Sequence, residues 1–442
     1  MLERVLGIGK TSRRLVNRDK GTVMEAYDLK DSGIDYLGKI PISWQVKRIK
    51  DFGKIIGGFA FKSSDFRQEG ALTLKISNVS HLSLKWDDIS YLPENYEIIY
   101  SEYVAPPNSL IFALTRPIIK AGIKTVKLLE NESFLINQRV GFFKPSNKVN
   151  NSFLIYVTQS SGFVAIFENK ITSSTIQPNI STEKIESIKF FCPPISEQNA
   201  IADYLDKACQ NIDKTIALKQ QQLDKLEAYR KSLIHEAVTK GLDKSVPMKD
   251  SGVDWLGKIP EHWSVKRIKD IVDLKSGNSI TSFQIQSEGL YPVYGGNGLR
   301  GYTDSYTHSG YKILIGRQGD LCGNINYVKG EFFATEHAVA CNPYFDLNVF
   351  WLGELLRSMN LNQYSNAAAQ AGLSVSKIKN LKIPVPTKEE QKAIADYLDK
   401  ACTNLDKTKK IIAKQIKTLT QYRQSLIHEC VTGKKRVYQG TN

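Results

Sequence analysis

The chain has 442 residues, 41% of them hydrophobic, enough for two or three domains with sizeable cores, which excludes a wholly disordered chain. A net charge of +15 and a pI near 9.3 point to a polyanionic partner, nucleic acid before a membrane surface, because no basic amphipathic helix stands out. Six scattered cysteines without a CxxC exclude a disulfide framework and fit a reducing compartment, and no apolar run reaches transmembrane length or forms a signal-peptide core.

Residues 1–29 read as a basic lead-in. Gly9-Lys10-Thr11 invites a phosphate-loop reading, but that motif needs glycine where Arg4 stands, and no strand precedes it. Residues 30–51 then form an arm that returns as 249–270 with 17 identities in 22 positions. Trp44 and Trp263, with the neighbouring glycine and proline, predict an ordered arm that docks its aromatics. The segments that follow, 52–195 and 271–388, mix short strand-like runs (Thr73–Ile76, Ser109–Leu114, Ile313–Ile315) with Gly/Asn/Ser turns and one helix-like stretch each (Phe153–Phe167, Val349–Met359). Only their last parts match, Gln177-Pro-Asn-Ile-Ser181 against Gln370-Ala-Gly-Leu-Ser374. The frame is duplicated and the inserts have diverged, as two different recognition tasks would require.

Residues 197–240 return as 390–433 with 27 identities in 44 positions and no gap. Good helix formers fill both copies, Pro and Gly are confined to their ends, and acidic Glu197, Glu389 and Glu390 suit the first turns. Apolar residues recur at 3–4 spacing: Ile201, Leu205, Ile212, Leu226, Tyr229 and Leu233 in the first copy, and Ile394, Leu398, Leu405, Ile412, Leu419, Tyr422 and Leu426 in the second. Each helix would run roughly 66 Å, a spacer's length. The same spacing places Thr215/Thr408 and Gln222/Gln415 on the seam, where polar residues fix register, so exchanging the glutamines for leucine should raise the melting temperature. The expected fold is therefore α+β: two globular domains of mixed α/β character separated by two long helices that form an antiparallel coiled coil, with a pseudo-two-fold internal repeat. The partition is a lead-in (1–29), arm and first domain (30–195), central helix (196–242), linker, arm and second domain (243–388), distal helix (389–434) and tail (435–442).

No catalytic constellation emerges. An adenine methyltransferase needs an Asn/Asp-Pro-Pro-Tyr/Phe tetrad, and Asn342-Pro-Tyr-Phe345 lacks the second proline and a Gly-rich cofactor loop before it. His235-Glu236 and His428-Glu429 lack the second histidine of a zinc motif and suit a partner contact or a helix cap. His337 is a core or a DNA-side residue. DNA-contact candidates are turns that carry Lys, Arg, Asn, Gln or Ser beside aromatics, since glycine admits phosphates and these side chains reach base edges. In the first insert they are Lys62, Ser63, Ser64, Arg67, Lys75, Asn78, Arg116, Lys120, Asn137, Gln138 and Arg139; in the second, Asn297, Arg300, Tyr302, Arg317 and Gln318.

Over 30–434 the chain resembles the specificity subunit of type I restriction–modification enzymes. The resemblance is carried by Asp31-Ser-Gly with Leu37-Gly-Lys-Ile-Pro41 and Trp44, by Pro193-Pro-Ile-Ser-Glu-Gln198 with Ile201-Ala-Asp-Tyr-Leu-Asp206, and by Tyr229-Arg with Ser232-Leu-Ile-His-Glu236, each repeated. It implies that each insert is a target-recognition domain reading half of a split DNA site. It also implies two methyltransferase subunits docked on the helices, two restriction subunits in the full complex, and a cytoplasmic bacterial or archaeal location. By the same resemblance the chain binds no cofactor, S-adenosylmethionine belonging to the methyltransferase and ATP with Mg2+ to the restriction partner. Residues 1–29 depart from the usual family start, which leaves open a start near Met24. The alternative is a stand-alone coiled-coil DNA-binding adaptor without methyltransferase partners; a fused restriction–methylation enzyme lacks its tetrad.

Overall fold

A computed structural model describes residues 28–33, 38–145, 148–172, 177–319, 321–365 and 372–437. The Gly9-Lys10-Thr11 string, the start near Met24 and the Gln370-Ala371 pair lie outside them. The chain divides into two compact units. Unit 1 is built from residues up to Ala217 together with those from Ile416 onward, and unit 2 from Leu218–Gln415.

In unit 1 the arm begins as a hairpin of Leu29–Asp31 on Lys39–Pro41, and its next strand, Gln45–Arg48, pairs with Lys189–Cys192 at the far end of the insert. The insert folds around two four-stranded sheets. One is antiparallel, in the order Thr125–Lys127, Leu110–Ala113, Val140–Pro145, Gly53–Gly57. The other runs Tyr91–Leu92, Ala71–Leu74, Phe134–Ile136, Val104–Ala105, with its middle pair parallel. Helices Asn151–Val157 and Ser161–Lys170 follow, each opened by a side-chain cap, Asn150 and Ser160.

Unit 2 repeats this plan although its insert sequence does not. Val272–Ser276, Ala338–Pro343, Tyr311–Gly316 and Ile325–Lys329 form an antiparallel sheet of equivalent order. Gly298–Thr303, Tyr291–Gly295 and Phe333–Ala334 form the second sheet, again with one parallel pair. One helix, Val349–Ser358, is capped by Asn348. The arm strand Ser264–Arg267 pairs with Lys382–Val385 as in unit 1.

The long helices span Ile195–Lys240 and Lys388–Val431, and each unit takes a part of both. Within each unit the two parts run antiparallel. As the first helix's numbering rises from Lys219 through Glu227 to Arg230, its partner's falls from Gln415 through Lys409 to Asp406, at 2.7, 2.6 and 3.4 Å. In unit 1, Arg423 meets Asp213 at 2.9 Å, the repeat-related counterpart of Arg230–Asp406. Of the seam residues read from the sequence, Ile201, Leu205, Ile212, Ile394, Leu398, Ile412 and Leu426 are buried, and Leu226, Leu233, Leu405 and Leu419 half-buried.

Four of the expectations for the seam need correction. Tyr229 and Tyr422 are 56% and 52% exposed. The inward stripe of the first helix runs Cys209, Ile212, Ile216, Lys219, Leu223, Leu226, Arg230, Leu233 at strict 3–4 spacing, so the tyrosines fall one position off it. Arg230 and Arg423 take the seam instead, lining it with their aliphatic stems while the guanidinium reaches a carboxylate. Thr215/Thr408 and Gln222/Gln415 also face outward. The threonine hydroxyls bond the carbonyls of Asn211 and Asn404 one turn back, at 2.7 and 3.0 Å, so neither pair sets register from inside the seam.

The arms dock as their tryptophans predict. Trp44 is fully buried and its Nε1 donates to Glu197 Oε2 at 2.9 Å, tying the arm to the start of the first long helix, while its ring packs beside Gly433 past the end of the second. In unit 2 the helices exchange parts: Trp263 Nε1 donates to Glu390 Oε1 at 3.0 Å, and its ring packs beside Gly241. Both glycines adopt positive φ, +71° and +75°, the left-handed closing residue of a helix.

Candidate nucleic-acid interface

In unit 1 three turns are locked together at one end of the antiparallel sheet. Gly58 follows the strand Gly53–Gly57, and a Cβ there would lie 2.3 Å from Ile136 O and 2.4 Å from Asn137 O, so only glycine allows the approach. Gln138 N then donates to Phe59 O (3.0 Å), Asn137 N to Leu74 O (3.0 Å), and Leu114 N to Arg139 O (2.9 Å). The turn Asn137-Gln-Arg139 is thus held between the loop after Gly58 and the turn at Thr115-Arg116. Arg116 N donates to Pro178 O at 2.7 Å and holds φ at +45°, a conformation that costs a non-glycine residue about 1–3 kcal/mol and collects at functional sites.

Unit 2 builds the same lock from different residues. Gly277 approaches Ala334 O, where a Cβ would lie at 2.1 Å; Asn278 N donates to Ala334 O (2.9 Å), Thr335 N to Tyr294 O (2.9 Å) and Arg317 N to His337 O (2.9 Å). Thr335-Glu-His337 therefore occupies the place of Asn137-Gln-Arg139. This assigns His337 to the turn rather than the core, with its Nε2 3.3 Å from Glu336. The hairpin tip that carries Asn297 abuts the same turn, since a Cβ on Gly296 would lie 3.0 Å from His337 O.

Of the residues singled out in the sequence, Lys62, Ser63, Ser64, Arg116, Lys120, Gln138, Arg139, Asn297 and Arg300 are exposed, and Asn137, Tyr302, Arg317 and Gln318 half-buried. In unit 1 Arg116, Asn137, Gln138 and Arg139 share one end of the sheet, and Lys120 rides the tip of the small hairpin Ile118–Ile119/Gly122–Ile123 that leaves it. In unit 2 Asn297, Arg317 and Gln318 come together, and Arg300 lies beyond them on the outer strand of the second sheet.

Three candidates are committed elsewhere. Asn78 is 1% exposed; its Oδ1 accepts from Lys75 N at 2.8 Å and its Nδ2 donates to Lys85 O and Asp88 O, both at 2.9 Å, so it shapes the loop and presents nothing outward. Lys75 pairs with Asp88 at 2.8 Å, and this ammonium, then the Ser77 hydroxyl, holds the Asp88 carboxyl below its usual range. Arg67 folds its guanidinium onto the carbonyls of Ser64 (2.7 Å) and Phe66 (3.1 Å). Sequence reasoning passed over Glu336, Lys85 and Lys124. One signal was available, because Gly58 and Gly277 are separated by the same 219 positions as the arm repeat. Among the described residues no cluster of His, Cys, Asp or Glu is placed to hold a metal, and no helix is long and apolar enough to cross a membrane.

The model of the type I restriction modification DNA specificity domain matches residues 41–228 and again 260–421. The specificity subunit of the EcoprrI enzyme of Escherichia coli is 44% identical over 139 residues, 30% of this chain and 35% of that one. That of MjaVIII from Methanocaldococcus jannaschii is 34% identical over 205 residues, 46% of this chain and 47% of that one. The chain thus spans about a third to a half of the length of these two curated relatives. The EcoBI specificity subunit of Escherichia coli is matched along nearly its whole length, at 25% identity over 445 residues, 92% of this chain and 89% of that one. Among solved structures, a chain from work on complex assembly and conformational transition of the type I R-M system superposes with a TM-score of 0.70 at 15% identity, covering 89% of this chain and 98% of that one. The HsdS subunit of Thermoanaerobacter tengcongensis gives 0.50 at 16% identity over the same shares. At these identities the likeness is one of fold.

Proposed function

Because the chain belongs to the type I restriction–modification DNA specificity family, we propose that it supplies the sequence recognition of such a complex, each unit reading one half of a bipartite DNA site. One observation carries this reading. The two units build the same turn apparatus on the same sheet, yet they fill it differently: Asn137-Gln-Arg139 against Thr335-Glu-His337, and Arg116 against Gly319. A constant scaffold with exchanged polar tips is what reading two different half-sites requires. Arg, Asn and Gln pair with base edges in the major groove, and each wrong base pair costs about 1–3 kcal/mol, so specificity accumulates from several modest terms.

In this reading the subunit itself catalyses nothing. Two methyltransferase subunits dock on the long helices, flip an adenine in each half-site and methylate N6 with S-adenosylmethionine. Two restriction subunits, using ATP and Mg2+, complete the cytoplasmic assembly. What supports the division of labour is the missing Asn/Asp-Pro-Pro-Tyr/Phe tetrad at Asn342-Pro-Tyr-Phe345. The duplicated helix surface, alike in both copies, suits two copies of one partner.

Co-expression with a methyltransferase subunit of a type I system, purification of the complex and adenine-methylation mapping of the host DNA test this. Two methyltransferases per chain and a split methylated motif are expected. A chain that binds DNA but recruits no methyltransferase would replace the reading with a DNA-binding adaptor.

A further inference from the structure

Unit 1 carries a group of cations in which Arg116, at the edge of the base-reading turns, is joined by two lysines that lie outside them. The loop after Ala71–Leu74 folds back on the strand pair that follows Arg116: Leu82 N donates to Thr125 O at 2.8 Å, and His81 Nδ1 donates to Ile123 O at 2.9 Å, its ring lying where a Cβ on Gly122 would come within 2.7 Å. The fold-back carries Lys85 toward Lys124. Lys124 is half-buried; its Nζ donates to Ile76 O at 3.1 Å and its backbone N–H to Pro117 O at 2.8 Å, next to Arg116. Burial first, then the charges of Lys85 and Arg116, push the Lys124 ammonium below its usual range, as expected where three like charges converge. Among the described residues none of the three pairs with a carboxylate. Asp88, an acid of the same loop, is taken by Lys75.

A half-buried lysine held against two other cations, with one carbonyl as its hydrogen-bond partner, sustains an electrostatic cost that a bound anion would offset. We propose that Lys85, Arg116 and Lys124 form a binding site for a backbone phosphate of DNA, present in unit 1 alone. This rests on the DNA-recognition reading above and adds a sequence-independent grip to it. Among the described residues unit 2 shows no counterpart. Gly316 N donates to Asn324 O (2.8 Å) where Ala113 N donates to Lys124 O (3.0 Å), so Asn324 replaces the lysine, and Gly319 replaces Arg116 by the same register. The loop bearing Lys85 is missing there, because Tyr291–Gly295 turns directly into Gly298–Thr303. The two units therefore hold the duplex unequally, one by bases and backbone and the other chiefly by its turn residues.

The test uses the full-length chain in the complex that purifies with it, titrated with two duplexes of unrelated sequence over a range of salt. The variant Lys85→Gln/Lys124→Met should bind both duplexes several-fold more weakly, by the same factor. Its plot of log K against log salt should be shallower by about 0.9 for each phosphate no longer neutralised. Its melting temperature should hold or rise, because an uncompensated cation is gone; should Lys124→Met fail to fold, exposed Lys85→Gln alone carries the test. An unchanged affinity and salt slope overturns the proposal, and so does a loss confined to one duplex, which would make these residues base readers. Failure of the unaltered complex to bind either duplex would overturn the proposal and the DNA-recognition reading together.

Discussion

Gly433 and Gly241 close the two long helices, and the same substitution at each should have different costs. Both sit in the left-handed region, where a Cβ costs about 1–2 kcal/mol, partly offset by about 0.4–1 kcal/mol from the narrower unfolded ensemble. Their surroundings differ. A Cβ on Gly241 would lie 3.2 Å from the edge of the Trp263 ring, a contact that a shift of a few tenths of an ångström relieves. A Cβ on Gly433 would lie 2.5 Å from both Cδ and Cγ of Pro41, a closed ring on an arm already pinned by Trp44 and Glu197. Overpacking of that kind adds about 1–3 kcal/mol. Gly241→Ala should therefore cost about 0.5–1.5 kcal/mol and Gly433→Ala about 2–4 kcal/mol. Hydrogen exchange read by mass spectrometry under mild denaturant resolves the arms separately, through peptides covering 38–48 and 257–267. Loss of protection should be deeper in the first peptide for Gly433→Ala than in the second for Gly241→Ala. Equal losses, or the reverse order, would show that the clasp does not pack as described.

Two further outcomes follow from residues already placed. His428 is held below the ordinary histidine range, first by burial and then by Lys434, whose Nζ lies 3.2 Å from its Nε2. The unfolded chain therefore takes up this proton before the folded one, so its contribution to stability is complete above the usual pKa of about 6.5 and is lost as pH falls below it. His428→Gln should flatten the fall in stability between about pH 7 and 5 in denaturant titrations; a profile parallel to the parent's would remove His428 as its source. Gln222→Leu/Gln415→Leu, which the sequence pattern says should raise the melting temperature, should instead stay within about 0.5 kcal/mol of the parent, since both side chains face outward and Gln415 accepts from Lys219. A rise of many degrees in a melting scan would return the glutamines to the seam.

The duplicated parts were the legible ones. Ile201 and Ile394, or Trp44 and Trp263, repeat at fixed offsets because each copy meets the same packing demand, and both pairs are buried. The seam was legible in its apolar members and misread where a charged side chain takes an inward place. Arg230 looks like a surface residue beside Tyr229, yet its stem is the better filler and its charge has Asp406 to reach. The common fold of the inserts left little trace, because it consists of strands two to six residues long paired across distant stretches, in which backbone bonds set the register and many side chains are free to vary. What survived is the pair of close backbone approaches at Gly58 and Gly277. Asn78 was misjudged for the opposite reason: a polar residue in a turn reads as available, while the structure uses all of its amide to close the loop.

The division of the chain has a consequence for the order in which it matures during synthesis. Unit 2 is one continuous stretch, Leu218–Gln415, and can close as soon as that stretch has left the ribosome. Unit 1 starts first but cannot finish first. Its apolar stripe of Ile201, Leu205, Cys209 and Ile212 is covered by Leu426, Ile427, Cys430 and Val431, which are made last. At about 5–20 residues per second the stripe waits on the order of 10–40 s for its cover. A released chain ending at Gln415 would hold a completed second unit and a first unit with its stripe bare. That intermediate is the one expected to engage chaperones or to borrow the missing helix end from a neighbouring copy, and its sticky surface can be named in advance.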